Sequence, residues 1–279
     1  MIMAMTGKGG VGKTTLSALV INWLVSRGET PVLAVDADSN ANLNEALGVE
    51  LRGTVGGIRE DAREAAKGIS KQEFLELRVQ DALVEQEGYD LVVMGRPEGR
   101  GCYCFANNVL REVLDRLVRN YRHVVIDSEA GLEHISRRTL LSVDRLMIVS
   151  DCSVRGVHTA ARISALADEV KLEVKERGLI INRAPHGELP PIMKREVEVT
   201  GLRLLAAIPL DPNITELDAA GNPFATIPQE APARKAVEAM LEQVLFSQQG
   251  PQQARFSTPA GQPRACWGPR FRLAGAEEI

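Results

Sequence analysis

Residues 7–15 have the types and spacing of a loop that binds phosphate. They read Gly-Lys-Gly-Gly-Val-Gly-Lys-Thr-Thr and match the pattern G-x-x-x-x-G-K-[ST] in full. The inner glycines let successive backbone N–H groups turn towards one anion, and the helix that follows directs its positive end to the same place. We predict that ATP or ADP, with Mg²⁺, is bound by a set of seven loop residues: Gly9, Gly10, Val11, Gly12, Lys13, Thr14 and Thr15.

Within this loop two side chains carry specific chemistry. Lys13 supplies a positive charge for the β- and γ-phosphates, and the Thr14 hydroxyl is suited to binding Mg²⁺. Residues 2–5 are a short apolar run typical of a buried strand, and residues 14–27 predict a helix that Gly28 ends. A strand before the loop and a helix after it favour phosphate binding over a flexible glycine turn.

Acidic residues follow two further apolar runs. Asp36 and Asp38 come after the β-branched run at 31–35, and Asp127 ends the run at 124–127 in the Walker B pattern. Open parallel sheets bind ligands at the carboxyl ends of their strands, so we expect Asp127 to act on Mg²⁺ through water. The alternative for Asp36 and Asp38 is that they only cap the next short helix.

Four cysteines are present, and two of them are close together in a glycine-flanked loop. Cys102 and Cys104 can point to one ion, but sites for soft divalent ions usually take four ligands. A two-fold dimer would supply four thiolates, which suit tetrahedral Zn²⁺ or square-planar Ni²⁺. The alternative is that these two cysteines are small buried residues. Cys152 and Cys266 carry no predicted role.

The second lysine of the loop, Lys8, marks a family resemblance. The form K-G-G-x-G-K-T-T resembles the deviant-Walker-A ATPases, the group that includes MinD, ParA, the nitrogenase iron protein and nickel-insertion ATPases. In that group the extra lysine reaches the nucleotide of the other subunit. The resemblance therefore implies a nucleotide-dependent homodimer in which Lys8 acts across the interface. The alternative is a solvated loop lysine.

The same resemblance implies roles for residues elsewhere in the chain. Asp38 would orient the attacking water and touch the Mg²⁺ shell, Asp36 would support it, and Gly131 would offer its N–H to the γ-phosphate. The implied catalytic set for ATP hydrolysis is Lys8, Lys13, Asp38 and Asp127. The implied adenine contacts are Asn182, for which a turn residue is the alternative, and more loosely Pro209 and Asp211.

A narrower resemblance involves the cysteine pair and Glu133-His134. Together they look like the CooC-type accessory ATPases, which insert nickel into carbon monoxide dehydrogenase, with a sibling type that serves acetyl-CoA synthase. This implies that Cys102 and Cys104 bind Ni²⁺ across a homodimer, with Zn²⁺ possible in vitro. It also implies a client nickel–iron–sulfur enzyme. The likeness covers roughly residues 2–246.

Two other functions of the same superfamily stay open. An iron–sulfur reductase like the nitrogenase iron protein also builds a four-cysteine site across a dimer, but from two separate segments, and this chain has Glu133-His134 where the second would lie. A MinD- or ParA-like positioning ATPase would bind DNA or membrane. The net charge of −4 and the absence of a basic face on the helix predicted at 232–246 count against both of those ligands.

Composition and patterning predict the architecture. The 279 residues are 44% hydrophobic and 25% charged, as in ordinary globular proteins, and the first apolar run is too short for a signal peptide. We therefore expect a cytoplasmic protein. About seven strand signals alternate with helix signals, which predicts an α/β P-loop NTPase with a mostly parallel sheet of seven to eight strands and helices on both faces. We expect the ATPase domain at 1–246, with exposed helices at 50–88, and a flexible low-complexity tail at 247–279.

Overall fold

A central sheet of eight strands organises the protein. The computed structural model describes residues 1–55, 82–95, 114, 117–128 and 142–246. The strand order is β3-β4-β2-β5-β1-β6-β7-β8, and every neighbouring pair is parallel except β3 with β4 at one edge. The strands are β1 (Ile2–Gly7), β2 (Val32–Asp36), β3 (Leu83–Glu85), β4 (Tyr89–Val93), β5 (His123–Asp127), β6 (Ser142–Asp151), β7 (Glu173–Ala184) and β8 (Leu204–Pro209). The predicted fold class is confirmed.

Helices cover both faces of this sheet. The described helices are α1 (Lys13–Ser26), α2 (Leu43–Leu47), α3 (Val154–Glu169), α4 (Pro191–Thr200), α5 (Pro212–Ala220) and α6 (Pro232–Phe246). Apolar residues of α1, α2 and α6 share one buried cluster, on which α5 also packs, whereas those of α3 and α4 belong to a second cluster. None of these helices is both long and apolar enough to cross a bilayer.

The central strand β1 shows why its sequence is apolar throughout. Met3 and Met5 belong to the cluster of α1, whereas Ala4 belongs to the cluster of α3, because successive side chains of a strand point to opposite faces. All three are fully buried. A parallel strand covered on both faces reads as a continuous apolar run rather than an alternating one.

Strand register brings the ends of three strands together. Met5 of β1 lies opposite Asp127 of β5, and Asp36 of β2 lies opposite the same Asp127. On the other side of β1, Gly7 lies opposite Val149 of β6. The glycine-rich loop and two of the predicted acidic residues therefore meet at the edge of the sheet that is formed by the carboxyl ends of the parallel strands.

Several sequence-based element predictions were incomplete, and one was wrong. β3 lies within the stretch 50–88, for which exposed helices were predicted, because its three residues form an edge strand too short to give a periodic signal. Helices α4 and α5 were not predicted; both begin with proline at the first helical position, and few or none of their residues are buried. The whole tail at 247–279 lies outside the described residues.

Candidate nucleotide-binding site

The glycine-rich loop between β1 and α1 packs closely against strands β6 and β7. Gly12 has φ +92°, and a Cβ there would lie 2.4 Å from the Asn182 Nδ2 atom. A Cβ on Gly7 would lie 2.2 Å from the Val149 carbonyl oxygen. Contacts this short exclude any side chain, so the spacing of these two glycines follows from the packing of the loop on β6 and β7.

Lys13, the first residue of α1, is only 8% exposed. Its Nζ atom donates a hydrogen bond to the Lys8 carbonyl at 3.2 Å, and its charge acts on the carboxylate of Asp127. A buried ammonium group is costly unless an anion or several acceptors surround it. Its place at the start of α1 therefore suits a phosphate chain, as the sequence predicts.

Thr14 and Asp127 form the contact that is best suited to a hydrated divalent cation. The Thr14 Oγ1 atom donates to Asp127 Oδ2 at 2.6 Å, and the second oxygen, Oδ1, is buried without a hydrogen-bond partner among the described residues. Burial and, to a smaller extent, the charge of Asp38 raise the pKa of Asp127 to about 6, although Thr14, the charge of Lys13 and the nearby Ser17 hydroxyl act to lower it. A hydroxyl and a carboxylate that has one unsatisfied oxygen are hard ligands that fit Mg²⁺.

Asp36 is completely buried beside Asp127. Its two oxygens accept hydrogen bonds from the backbone N–H groups of Asp38 and Leu43, both at 2.9 Å. Burial and, to a smaller extent, the nearby charge of Asp127 raise the pKa of Asp36 to about 7, although the two backbone hydrogen bonds act to lower it. Since Leu43 is the first residue of α2, Asp36 holds the turn after β2 and caps the short helix, which was the alternative left open by the sequence.

Asp38 lies half-buried at the same edge of the sheet. One carboxylate oxygen accepts from the Asn40 N–H at 2.8 Å, and the charge of Asp38 acts on both Asp36 and Asp127. The structure thus brings together three acidic residues that were predicted separately. Their roles in positioning water and Mg²⁺ remain predictions.

Asn182 is the last residue of the buried run of β7, and its side chain contacts the loop. Its Nδ2 atom donates to the Val11 carbonyl at 2.8 Å, and its Oδ1 atom accepts from the Arg183 N–H at 2.9 Å. Arg183 was missed by sequence reasoning, although its guanidinium donates to the Gly10 carbonyl at 3.2 Å. The predicted contact of Asn182 with adenine remains a prediction.

Asp211 is 3% exposed, and its carboxylate caps two helices. One oxygen accepts from the Asn213 N–H near the start of α5, and the other accepts from the Ala233 N–H in the first turn of α6, both at 2.9 Å. This capping role was not predicted. Pro209, which ends β8, is half-buried. The contacts of both residues with adenine remain predictions.

A cavity of about 640 Å³ begins beside Thr14 and Thr15. Side-chain amides and carboxylates predominate in its polar lining, and no lysine or arginine lines it in the part of the chain that the structure describes. The polar residues are Asn42, Asn44, Glu45, Glu50, Asp218 and Asn222. Such a lining suits hydroxyl and amine donors rather than phosphates.

The remaining predicted residues divide between the surface and the undescribed part of the chain. Lys8 is exposed at the tip of the loop. Gly131, Cys102 and Cys104 lie outside the described residues. In the part of the chain that the structure describes, no group of three or more His, Cys, Asp or Glu side chains could hold a metal ion. Cys152 is a free, half-buried thiol whose pKa is raised by burial and by Asp151.

Comparison of the sequence with known proteins shows its relatives. The model of the family described as an AAA domain matches residues 1–180. An uncharacterized ATP-binding protein of Methanocaldococcus jannaschii is 42% identical over 251 residues, covering 88% of this chain and 98% of that protein. The carbon monoxide dehydrogenase accessory protein CooC of Rhodospirillum rubrum is 33% identical over 237 residues, covering 79% of this chain and 88% of CooC.

Solved structures with the same fold include two archaeal MinD proteins. The cell division ATPase MinD of Pyrococcus furiosus has a TM-score of 0.64 and 25% identity, covering 87% of this chain and 97% of that one. The septum site-determining protein MinD of Pyrococcus horikoshii, solved with Mg-ADP, has a TM-score of 0.62 and 25% identity, covering 88% and 96%.

Proposed function

Because this chain belongs to the AAA domain family and has the fold of the MinD/ParA-type P-loop ATPases, we propose that it is a nucleotide-dependent dimeric ATPase that carries Ni²⁺ to a nickel–iron–sulfur enzyme. The observation that carries the ATPase part is the contact between Thr14 and Asp127 beside Lys13, with one buried carboxylate oxygen left unsatisfied. A MinD solved with Mg-ADP shares the fold, which supports nucleotide and Mg²⁺ as ligands.

Residues of the loop and two acidic residues at neighbouring strand ends have separate roles in the binding and hydrolysis of ATP. Lys13, already buried at the start of α1, neutralises the phosphate chain, and the N–H groups of the loop bind phosphate oxygens. Thr14 and Asp127 hold the hydrated Mg²⁺, which when bound supplies charge neutralisation for the reaction. Asp38 orients the attacking water. Lys8, exposed at the tip of the loop, reaches the nucleotide of the second subunit.

The nickel part of the proposal rests on the cysteine pair and on one relative. Cys102 and Cys104 of two subunits would supply four thiolates for one ion, which is the cargo. The 33% identity with CooC, named as a carbon monoxide dehydrogenase accessory protein, supports a client of the carbon monoxide dehydrogenase or acetyl-CoA synthase type. If nucleotide and metal both favour the closed dimer, each must tighten the binding of the other. The cytoplasm remains our predicted location.

The test is an anaerobic titration of the full chain with Ni²⁺ and, separately, Zn²⁺. Stoichiometry and affinity are measured with and without Mg-ATP, while light scattering records the mass in solution. The double variant Cys102→Ala/Cys104→Ala is the control, and its ATP binding should match wild type. One ion per dimer, bound more tightly with Mg-ATP and lost in the double variant, is the expected result.

Other outcomes point to the alternatives. Iron and sulfide bound through the same cysteines would replace nickel delivery with an iron–sulfur reductase. Salt-sensitive binding to DNA, or binding to vesicles, with no metal bound would favour a positioning ATPase. If the double variant binds metal as the wild type does, the cysteines are structural and the nickel part of the proposal fails, whereas the ATPase part stands.

A further inference from the structure

Arg183 makes a contact with the phosphate-binding loop that the known roles of this loop do not require. Its guanidinium donates a hydrogen bond to the Gly10 carbonyl at 3.2 Å, although the two residues are 173 positions apart. The preceding residue, Asn182, donates to the Val11 carbonyl at 2.8 Å. Two consecutive side chains at the end of β7 therefore hold two consecutive carbonyl groups of the loop.

Holding these carbonyls fixes the direction of the loop's donors. The Gly10 carbonyl shares a peptide group with the Val11 N–H, and the Val11 carbonyl shares one with the Gly12 N–H. In a planar trans peptide the carbonyl and the N–H point in opposite directions. Anchoring both carbonyls on the side of β7 therefore turns both N–H groups away from it. Neither N–H donates a hydrogen bond within the described residues, so both are free for an anion.

The backbone of Arg183 is itself unusual. Its φ is +56°, in the left-handed region that residues with a side chain rarely adopt. The conformation is retained because the chain is fixed on both sides of it: the Arg183 N–H donates to the Asn182 side chain, and the next residue, Ala184, is fully buried at the end of β7. A strained residue at the rim of a binding site is a reason to look for a role in binding.

We propose that Arg183 is a positioning residue for phosphate binding, which holds the Gly10 carbonyl so that the Val11 N–H is directed towards the β-phosphate before nucleotide arrives, as Asn182 does for the Gly12 N–H. The inference rests on the proposed function only in that residues 7–15 bind a nucleotide. Arg183 acts through the loop and not on the base. Removing the Arg183 side chain therefore weakens the binding of every ligand that has a β-phosphate or a phosphate chain, whatever base the ligand carries.

The experiment compares Arg183→Ala with wild type by calorimetric titration of Mg-ATP, Mg-ADP, AMP and inorganic tripolyphosphate. Because the bond is charge-assisted but exposed, we expect ATP, ADP and tripolyphosphate to bind about five- to tenfold more weakly, and by similar factors. The affinity for AMP should be unchanged. Arg183→Lys keeps a donor and should recover part of the loss. Arg195→Ala, which removes an exposed arginine from α4, is the matched control for charge.

The variant Arg183→Gly distinguishes the effect of the missing side chain from the effect of the backbone conformation. It removes the guanidinium but relieves the left-handed conformation, so it should melt at a higher temperature than Arg183→Ala while binding nucleotide equally weakly. A loss for ATP and AMP alike, with tripolyphosphate unaffected, would show a contact to the base or ribose and overturn the inference. Unchanged affinities in Arg183→Ala would also overturn it. Absence of nucleotide binding by the wild type would instead overturn the proposed function.

Discussion

The Thr14 hydroxyl donates a 2.6 Å hydrogen bond to Asp127, joining the first turn of α1 to the end of β5 across 113 positions of sequence. The bond satisfies one oxygen of a buried carboxylate and leaves the other without a partner in the described residues. In the free protein the pair therefore retains an unsatisfied, partly charged site at the position where Mg²⁺ is expected. The negative charge of this carboxylate favours the binding of Mg²⁺, but it lowers the stability of the free protein because the charge is buried.

The first prediction is that Asp127→Asn stabilises the nucleotide-free protein while it weakens hydrolysis. The pKa of Asp127 rises from 3.8 to about 6 on folding. Between these values the folded chain binds more protons than the unfolded chain, so stability falls as pH rises through this interval. Asparagine carries no charge to bury, and we expect a gain of about 1–2 kcal/mol near neutral pH. Mg²⁺-dependent hydrolysis should fall about a hundredfold or more.

Urea denaturation at a series of pH values checks the stability part of this prediction. The difference in unfolding free energy between variant and wild type should be largest near neutral pH, should shrink as the pH falls below about 6, and should be lost only below 3.8, where the carboxyl of the unfolded wild type is protonated too. Asp36, whose pKa is raised to about 7, also makes the stability of the wild type fall as pH rises, and the variant retains part of this pH dependence. A difference that is the same at all pH values would show that the charge of Asp127 is not the cause.

The second prediction concerns two glycines of the loop with different surroundings. Both Gly10 and Gly12 have positive φ, +78° and +92°, but a Cβ on Gly10 meets nothing within 4 Å whereas one on Gly12 meets the Asn182 amide at 2.4 Å. Gly10→Ala should cost about 1 kcal/mol of stability from backbone strain alone. Gly12→Ala should cost roughly 2–4 kcal/mol, because Asn182 must also move. Equal losses in urea denaturation would contradict the packing described for Asn182.

Much of this site could be predicted from the sequence because its parts are local or lie at strand ends. The loop at 7–15 carries its own signature, and apolar runs ending in Asp36 and Asp127 locate the acidic residues at one edge of a parallel sheet. Contacts across long separations could not be predicted. Arg183 bonds to Gly10, and Asp211 bonds to Ala233, only because β7, β8 and α6 meet at this edge. Neither residue type nor spacing signals such a contact.

Register also explains what the sequence left open for Asp36. A capping role and a role as a carboxylate that supports Asp38 were alternatives; the structure shows the cap, and the supporting role remains a prediction. Asp36 accepts from the Leu43 N–H and so caps α2, while its position opposite Asp127 in the sheet lets the charge of Asp127 help to raise the pKa of Asp36. The sequence shows the carboxylate, but only the pairing of β2 with β5 shows its neighbour.

The third prediction is that Asp211 matters for stability through the two helices that it caps. Its two oxygens accept backbone N–H groups from the beginnings of α5 and α6. Asp211→Ala should lower the free energy of unfolding by about 2–3 kcal/mol, since each lost cap costs about 1 kcal/mol and the freed N–H of Ala233 is buried. Urea denaturation measures the loss. Glu216→Ala, a change within α5 outside these caps, is the control.

Nucleotide binding by the same variant tests the looser prediction that Asp211 contacts adenine. If Asp211 acts only as a cap, the ratio of the affinities for ATP and GTP should be the same in Asp211→Ala and wild type. A change in that ratio of about tenfold would support the adenine contact. Binding should be measured well below the melting temperature of the variant, so that partial unfolding does not lower both affinities.

The fourth prediction is that Lys8 is needed for hydrolysis but not for binding of ADP. The Lys13 ammonium bonds to the carbonyl of Lys8, a backbone group that alanine retains, so Lys8→Ala should leave the loop and the affinity for Mg-ADP unchanged. If the exposed Lys8 side chain acts on the nucleotide of the second subunit, ATP hydrolysis should fall about a hundredfold. The dimer that we propose to form with Mg-ATP should be lost or weakened in light scattering. Lys194→Ala, which removes an exposed lysine from α4, controls for the charge. Hydrolysis at the wild-type rate would instead identify Lys8 as a solvated loop residue.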